Sequence, residues 1–144
     1  MSVIMRLLVI ILSLNASACV SNLEAKRVPG ADLTPLNTFY VQKLPADTRG
    51  VDQLIADRLT LMGFRASTGV TETPTMTVDA IVTYQDKWMW DITMYMIQLD
   101  VQIRDPQTRL LMATGQAMRS SMIRKSPEGM VEEVLTEIFR RGQP

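Results

Sequence analysis

Residues 95–104 read YMIQLDVQIR, and they are followed by DPQT at residues 105–108 and by LLMAT from residue 110. Apolar and polar residues alternate through the first stretch, which is typical of a strand with one buried face. Asp105 and Pro106 suit the first two positions of a type I turn. The stretch therefore predicts a β-hairpin whose second strand runs from about Leu110 to Arg119.

Two more segments extend this hairpin into a larger sheet. Residues 78–85 alternate in the same way and predict a strand before the hairpin, which makes a three-strand meander. Residues 38–43 are rich in aromatic and β-branched residues and stop before Pro45, as a first strand would. Residues 64–67 predict a short additional strand.

Two helices are predicted on either side of the meander. From Val51 to Met62 apolar residues recur at helical spacing, and Gly63 follows where a helix often ends. Ser126 is a predicted N-cap with Pro127 at the first helical position, and an apolar stripe continues from there to residue 139. The element order predicts an α+β two-layer sandwich with a mostly antiparallel, four- to five-stranded sheet and two helices on one face.

The N-terminus carries the pattern of a secretion signal. One basic residue, Arg6, precedes an apolar run that continues to Leu14, which is too short to span a bilayer. Small residues at 16–18 lead directly into Cys19, the single cysteine of the chain. Residues 1–18 are therefore interpreted as a signal peptide.

Cys19 after small residues resembles the lipobox of bacterial lipoproteins, although Ala16 stands where that motif usually has leucine. The resemblance implies acylation of Cys19 and anchoring in a membrane by two or more acyl chains. The alternative is an ordinary cleavable signal with an incidental cysteine. Val20 after the cysteine resembles lipoproteins sorted to the outer membrane, facing the periplasm. Residues 19–35 then form a tether and residues 36–141 one periplasmic domain.

Composition excludes several classes of function. The chain has 15 basic and 15 acidic residues, and loss of Arg6 with the signal leaves 14 − 15 = −1, which argues against nucleic-acid binding. The absence of histidine removes the usual general base and the commonest metal ligand. We therefore expect no enzyme activity, no catalytic residues, no cofactor and no metal site. The sequence does not define the oligomeric state.

An unusual apolar cluster lies around residues 88–96, which read WMWDITMYM. Alternation places Trp88 and Trp90 on one side of the strand and Met89 on the other. It also places Met94 and Met96 opposite a core row that contains Tyr95 and Ile97. Aromatic and methionine side chains dominate binding hot spots and adaptable apolar grooves. A candidate binding patch consists of Trp88, Met89, Trp90, Met94 and Met96. The alternative is that these side chains belong to the core.

A serine-lysine catalytic pair is the other hypothesis that the residues permit. Ser120 and Ser121 lie near Lys125 in sequence. A desolvated lysine can act as a base. However, no nucleophile-elbow motif accompanies the serines, and basic neighbours favour a solvated loop. An envelope hydrolase is therefore the weakest hypothesis.

The stretch from Gln98 to Gly115, an apolar strand, an Asp-containing turn, a second strand and a small-Gly step, resembles small proteobacterial outer-membrane lipoproteins of the domain-of-unknown-function type. That resemblance implies the fold and an envelope location and transfers no catalytic residue. The element order also resembles the lipopolysaccharide-assembly lipoprotein. The leading hypothesis is a non-enzymatic, membrane-anchored lipoprotein that binds an envelope protein or another envelope component, and the alternative is a lipid-handling or outer-membrane assembly factor.

Overall fold

The computed structural model describes residues 21–140. The strands are β1 (Ser21–Arg27), β2 (Thr38–Gln42), β3 (Arg65–Gly69), β4 (Ala80–Asp91), β5 (Thr93–Arg104) and β6 (Leu111–Arg119). The α-helices are α1 (Val51–Leu61) and α2 (Pro127–Arg140), and a short 3₁₀ helix spans Ser121–Ile123.

All six strands form one sheet in the order β1-β6-β5-β4-β2-β3. The four strands from β1 to β4 in this order are antiparallel neighbours, whereas β2 pairs in parallel with both β4 and β3. The β2–α1–β3 unit explains the parallel β2–β3 pair, because a helical crossover returns the chain to the same end of the sheet. The segment between β3 and β4 returns the chain to that end again, so β4 is also parallel to β2. The α+β class is confirmed, but the sheet is mixed and has six strands, where four or five mostly antiparallel strands were predicted.

Both helices pack on one face of the sheet, as predicted. One core joins Ile55 and Leu59 of α1, Met130 and Leu135 of α2, and the inward side chains of the sheet. Gly115 of β6 permits a close approach of α2, since a Cβ there would lie 2.7 Å from the Ile138 side chain. The opposite face of the sheet is largely polar.

The sequence signals at the end of α1 and at the start of α2 agree with the structure. Gly63 follows α1 with φ +96°, a left-handed conformation that glycine adopts easily. Ser126 caps α2 by accepting a hydrogen bond from the Gly129 N–H at 3.1 Å. Asp105 orders the β5–β6 turn by accepting hydrogen bonds from the backbone of Gln107 and Thr108.

The interpretation of residues 19–35 as a tether is wrong for most of that segment. Residues 21–27 form β1, which pairs along its whole length with β6, and Ala25 and Leu33 are buried in the core. Pairing with β6 satisfies the backbone of a segment that lacks a strong pattern of its own. The folded domain therefore begins by Ser21, upstream of the predicted boundary at residue 36.

Candidate functional site

The β4–β5 hairpin extends beyond the helices at one end of the sheet. Trp90 pairs with Met94 and Asp91 with Thr93, so Ile92 occupies the apex. The register shifts between Lys87 and Trp88. This bulge changes which residues of β5 face the helices.

The bulge makes the predicted faces of β5 wrong near the apex. Ile97 is the extra residue, because Lys87 pairs with Gln98 and Trp88 pairs with Met96. Met96 consequently points to the helices and is fully buried in the core. Tyr95 lies on the other face of the hairpin, where it is also buried, at 7% exposure, beneath the Arg124 guanidinium.

Apolar side chains cover the end of this hairpin. Ile92 is 87% exposed, Trp90 69% and Met122 of the 3₁₀ helix 83%. We use the name tip surface for five exposed residues at this end: Met89, Trp90, Ile92, Met94 and Met122. Three of them belong to the predicted binding patch, and Ile92 and Met122 were not predicted.

The apex has an unfavourable backbone conformation. Ile92 has φ +63°, in the left-handed region. A β-branched residue at positive φ is a genuine outlier, because its Cβ substituents crowd the backbone. Glycine or asparagine would fit this position better, so an exposed isoleucine there is not explained by folding.

Arg124 holds both strands of the hairpin from one side. Its guanidinium donates hydrogen bonds to the Asp91 carbonyl and the Thr93 hydroxyl, both at 2.7 Å. It also lies 4.2 Å from the centre of the Tyr95 ring. Arg124 also forms an ion pair with the Asp91 carboxylate. Together these contacts fix the direction in which the tip surface projects.

Trp88 and Met96 form the base of the hairpin and lie outside the tip surface. Trp88 is half-buried against the core, and its indole N–H donates to Asp86. The Arg49 guanidinium lies 4.3 Å from the centre of the Trp88 ring. For Trp88 and Met96 the structure therefore favours the core interpretation, with Met96 fully enclosed.

A buried carboxylate positions the segment that carries Arg49. Asp47 accepts hydrogen bonds from the backbone N–H groups of residues 49–52 at 2.7 to 3.3 Å and from the Tyr84 hydroxyl at 2.7 Å. Burial alone would raise the pKa of Asp47, but the hydrogen bonds from Tyr84 and from the backbone outweigh it and hold that pKa below its ordinary value. Asp47 thus caps α1 and fixes it to β4.

The residues of the hypothetical serine-lysine pair make other contacts. Lys125 forms an ion pair with Glu133, which also binds Arg119. The Lys125 ammonium is thus engaged with Glu133, on the α2 side of the loop that carries Ser120 and Ser121. Within residues 21–140, no group of three or more acidic or cysteine residues has the arrangement of a metal site.

An open cleft of about 350 Å³ lies at the β3 edge of the sheet. Its lining includes Arg65 and Ser67 of β3 and Met76, Thr77 and Val78 from the segment before β4. The cleft is remote from the tip surface, because residues 76–78 precede the start of β4 and the apex follows the end of that 12-residue strand.

Cys19 and the predicted signal peptide, residues 1–18, lie outside the described residues. Among the residues that the structure describes, none of the helices has the length and hydrophobicity needed to cross a bilayer.

Comparisons with known proteins show similarity of fold. No family model and no curated protein matches the chain. Two solved structures titled as PelC dodecamers from Paraburkholderia phytofirmans, the first of them a point variant, are similar at TM-scores of 0.59 and 0.58 with 9% and 8% identity. They cover 82% and 83% of this chain and 96% and 98% of their own. A PDZ domain protein from Parabacteroides distasonis has a TM-score of 0.50 and 10% identity over 78% of this chain and 34% of its own. At these identities the likenesses show the fold alone.

Proposed function

We propose that this chain is a membrane-anchored lipoprotein whose non-enzymatic domain binds a protein partner or another envelope component through the tip surface. The anchor in this proposal is an acylated Cys19 in the outer membrane, with the domain facing the periplasm. The resemblance of residues 16–19 to a lipobox supports the anchor.

The observation that carries the proposal is the exposed apolar apex of the β4–β5 hairpin. Ile92 and Trp90 are among the most exposed large apolar residues of the domain, and they are adjacent to Met94 and Met89. Exposed apolar side chains gathered at one projecting end of a domain are typical of interaction sites. Arg124 holds the hairpin in place, so the surface is preorganised and binding loses little conformational entropy.

Two features support a non-enzymatic role. The chain has no histidine to act as a general base. Lys125 belongs to an ion-pair cluster with Glu133 and Arg119, an arrangement typical of a structural role.

The packing between the helices and the sheet favours this function over the lipid-handling alternative. A lipid carrier needs an apolar cavity between these layers. Instead, fully buried side chains such as Phe39, Ile55 and Leu135 fill the space. An envelope assembly factor that acts through its surface is compatible with the same tip surface.

Site-specific photo-crosslinking in a Gram-negative host tests the proposal. The full precursor would carry a photoreactive phenylalanine analogue at residue 92, or at Leu110 as a matched control. Leu110 is also an exposed aliphatic residue at a turn, but the turn lies at the opposite end of the sheet. We expect adducts with an envelope protein or lipid at residue 92, and their loss when Trp90 and Met94 are replaced by serine. Equal crosslinking at residues 92 and 110, or none at either, would contradict the proposal.

A further inference from the structure

The start of β1 and the hairpin apex lie at the same end of the sheet. Ser21 pairs with Arg119 at the end of β6, and the neighbouring Met118 pairs with Gln98 near the start of β5. Ser21 is therefore level with residue 97, and from there the hairpin continues toward Ile92. The chain that leads back to Cys19 leaves the domain on the side where the tip surface projects.

The short connection to Cys19 limits how far the domain can stand from its anchor. Cys19 precedes Ser21 by two residues, a distance of about 7 Å at full extension. Because Ile97 is the bulge residue, the level of Ser21 corresponds to Trp88 of β4, which is four residues before Ile92, or about 13 Å along a strand. The apex therefore projects at least about 6 Å beyond the farthest position that Cys19 can reach along the strands.

That projection matches the depth at which amphipathic protein surfaces enter a bilayer, about 5–10 Å into the boundary between headgroups and acyl chains. The chemistry also matches. Trp90 and Ile92 are apolar at the apex, and tryptophan favours this boundary. Basic side chains lie behind them, with Arg49 over Trp88 and the exposed Lys87 in the adjoining part of β4. Such residues lie at the level of phosphate headgroups. Asp91, the acidic residue beside the apex, is paired with Arg124.

We propose that the tip surface inserts into the boundary region of the same bilayer that holds the acyl chains of Cys19, so that the domain stands with its strands directed at the membrane. This inference rests on the proposed function, and it names the bilayer itself as the component that the tip surface binds. The lipid anchor and the inserted hairpin form two attachment points, which fixes the orientation of the domain and leaves the polar sheet face and the β3 edge exposed to the periplasm.

Trp90 can report its own insertion, because Trp88 and Trp90 are the two tryptophans of the chain. The probe is a chain that begins at Cys19 and carries Trp88→Phe. It includes the whole described range, residues 21–140. Its single cysteine is coupled to a maleimide-headgroup lipid in vesicles of phosphatidylethanolamine and phosphatidylglycerol, so the attachment point is the natural one. Vesicles with brominated acyl chains quench tryptophan emission only when the indole enters the bilayer.

We expect the emission of Trp90 to shift to the blue and to be lost in brominated vesicles. The matched control carries Trp88→Phe, Trp90→Phe and Leu110→Trp, and its tryptophan is expected to stay unquenched at the far end of the domain. Without coupling, serine at both Trp90 and Ile92 is expected to lower vesicle partitioning by about 100-fold, since each removes an apolar group worth roughly tenfold.

A coupled, folded chain whose Trp90 remains unquenched and accessible to aqueous acrylamide would overturn the inference and leave the tip surface to a protein partner. Circular dichroism checks the fold of each variant before coupling. If Trp88→Phe prevents folding, the difference between wild type and Trp90→Phe gives the Trp90 signal instead. Chemical coupling bypasses acylation, so an unmodified Cys19 in cells would refute the anchor without affecting this result. An uninserted Trp90 would refute insertion alone.

Discussion

Replacing Ile92 by asparagine is expected to stabilise the domain while removing its most exposed apolar side chain. Ile92 is 87% exposed, so little packing is lost. Its φ of +63° places an L-residue in the left-handed region. That conformation costs about 1–2 kcal/mol for most residues, and asparagine tolerates it much better.

The expected gain is about 1 kcal/mol in the free energy of unfolding, after a few tenths of a kcal/mol are subtracted for the lost contacts. For a domain of this size that corresponds to a rise in Tm of about 4 °C. Urea unfolding followed by circular dichroism measures the change, with an unchanged m value as evidence that the denatured state is the same.

Arg109 provides a control at the other turn with the same backbone conformation. It also has φ +63°, but its guanidinium donates hydrogen bonds to the Glu72 carbonyl and Gln42. Arg109→Asn relieves the same strain and loses those contacts, so no net gain is expected. A clear loss of stability in Ile92→Asn would refute the reasoning, because it would mean that the isoleucine side chain supports the fold.

Three other predictions concern the elements that support the hairpin. Gly115→Ala is expected to destabilise the domain by about 1–3 kcal/mol in urea unfolding, because the new methyl group overlaps Ile138; an unchanged midpoint would mean that α2 shifts freely. Asp47→Asn is expected to lower stability at neutral pH and to flatten its dependence on pH: the folded pKa lies below the unfolded one, so the wild-type contribution is present above about pH 4 and is lost as pH falls through the folded value. Parallel acid-dependent unfolding curves for both proteins would argue against this role. Met96→Ala is expected to cost about 2–5 kcal/mol, whereas Met94→Ala costs less than about 1 kcal/mol, since only Met96 is fully buried; thermal unfolding that ranks them in reverse would contradict the assignment of Met96 to the core and of Met94 to the tip surface.

The sequence predicts those elements whose signals are local. Apolar spacing and Gly63 located α1, and Ser126 with Pro127 located the start of α2. Alternation along β5 predicted its pairing with β6. The helices could be assigned to one face because alternation along the strands gives the sheet a single apolar face.

The sequence does not reveal features that depend on distant pairing. β1 has only Leu23 and Ala25 as apolar residues directed at the core, and its partner β6 is about 90 residues away in the chain. The bulge at Ile97 depends on the register against β4, so strict alternation misassigned Met96.

Only part of the tip surface was proposed from the sequence, because exposure also depends on contacts between segments that are distant in the chain. Composition alone identified Trp90, Met89 and Met94, but which residues are exposed depends on where the helices stop covering the sheet. Ile92 is an apolar residue between two strands, where turn-forming residues are usual, and that signal was available in the sequence. Met122 joins the tip surface only through the path of the chain after β6.

Intact-mass and peptide mass spectrometry of the mature chain, purified from the membranes of a Gram-negative host, most directly tests whether this domain is anchored at Cys19. The account predicts a mature N-terminus at Cys19 carrying acyl chains and found in the outer-membrane fraction, and a Cys19→Ala chain that leaves that fraction. An unmodified N-terminus in the soluble periplasmic fraction would contradict the account.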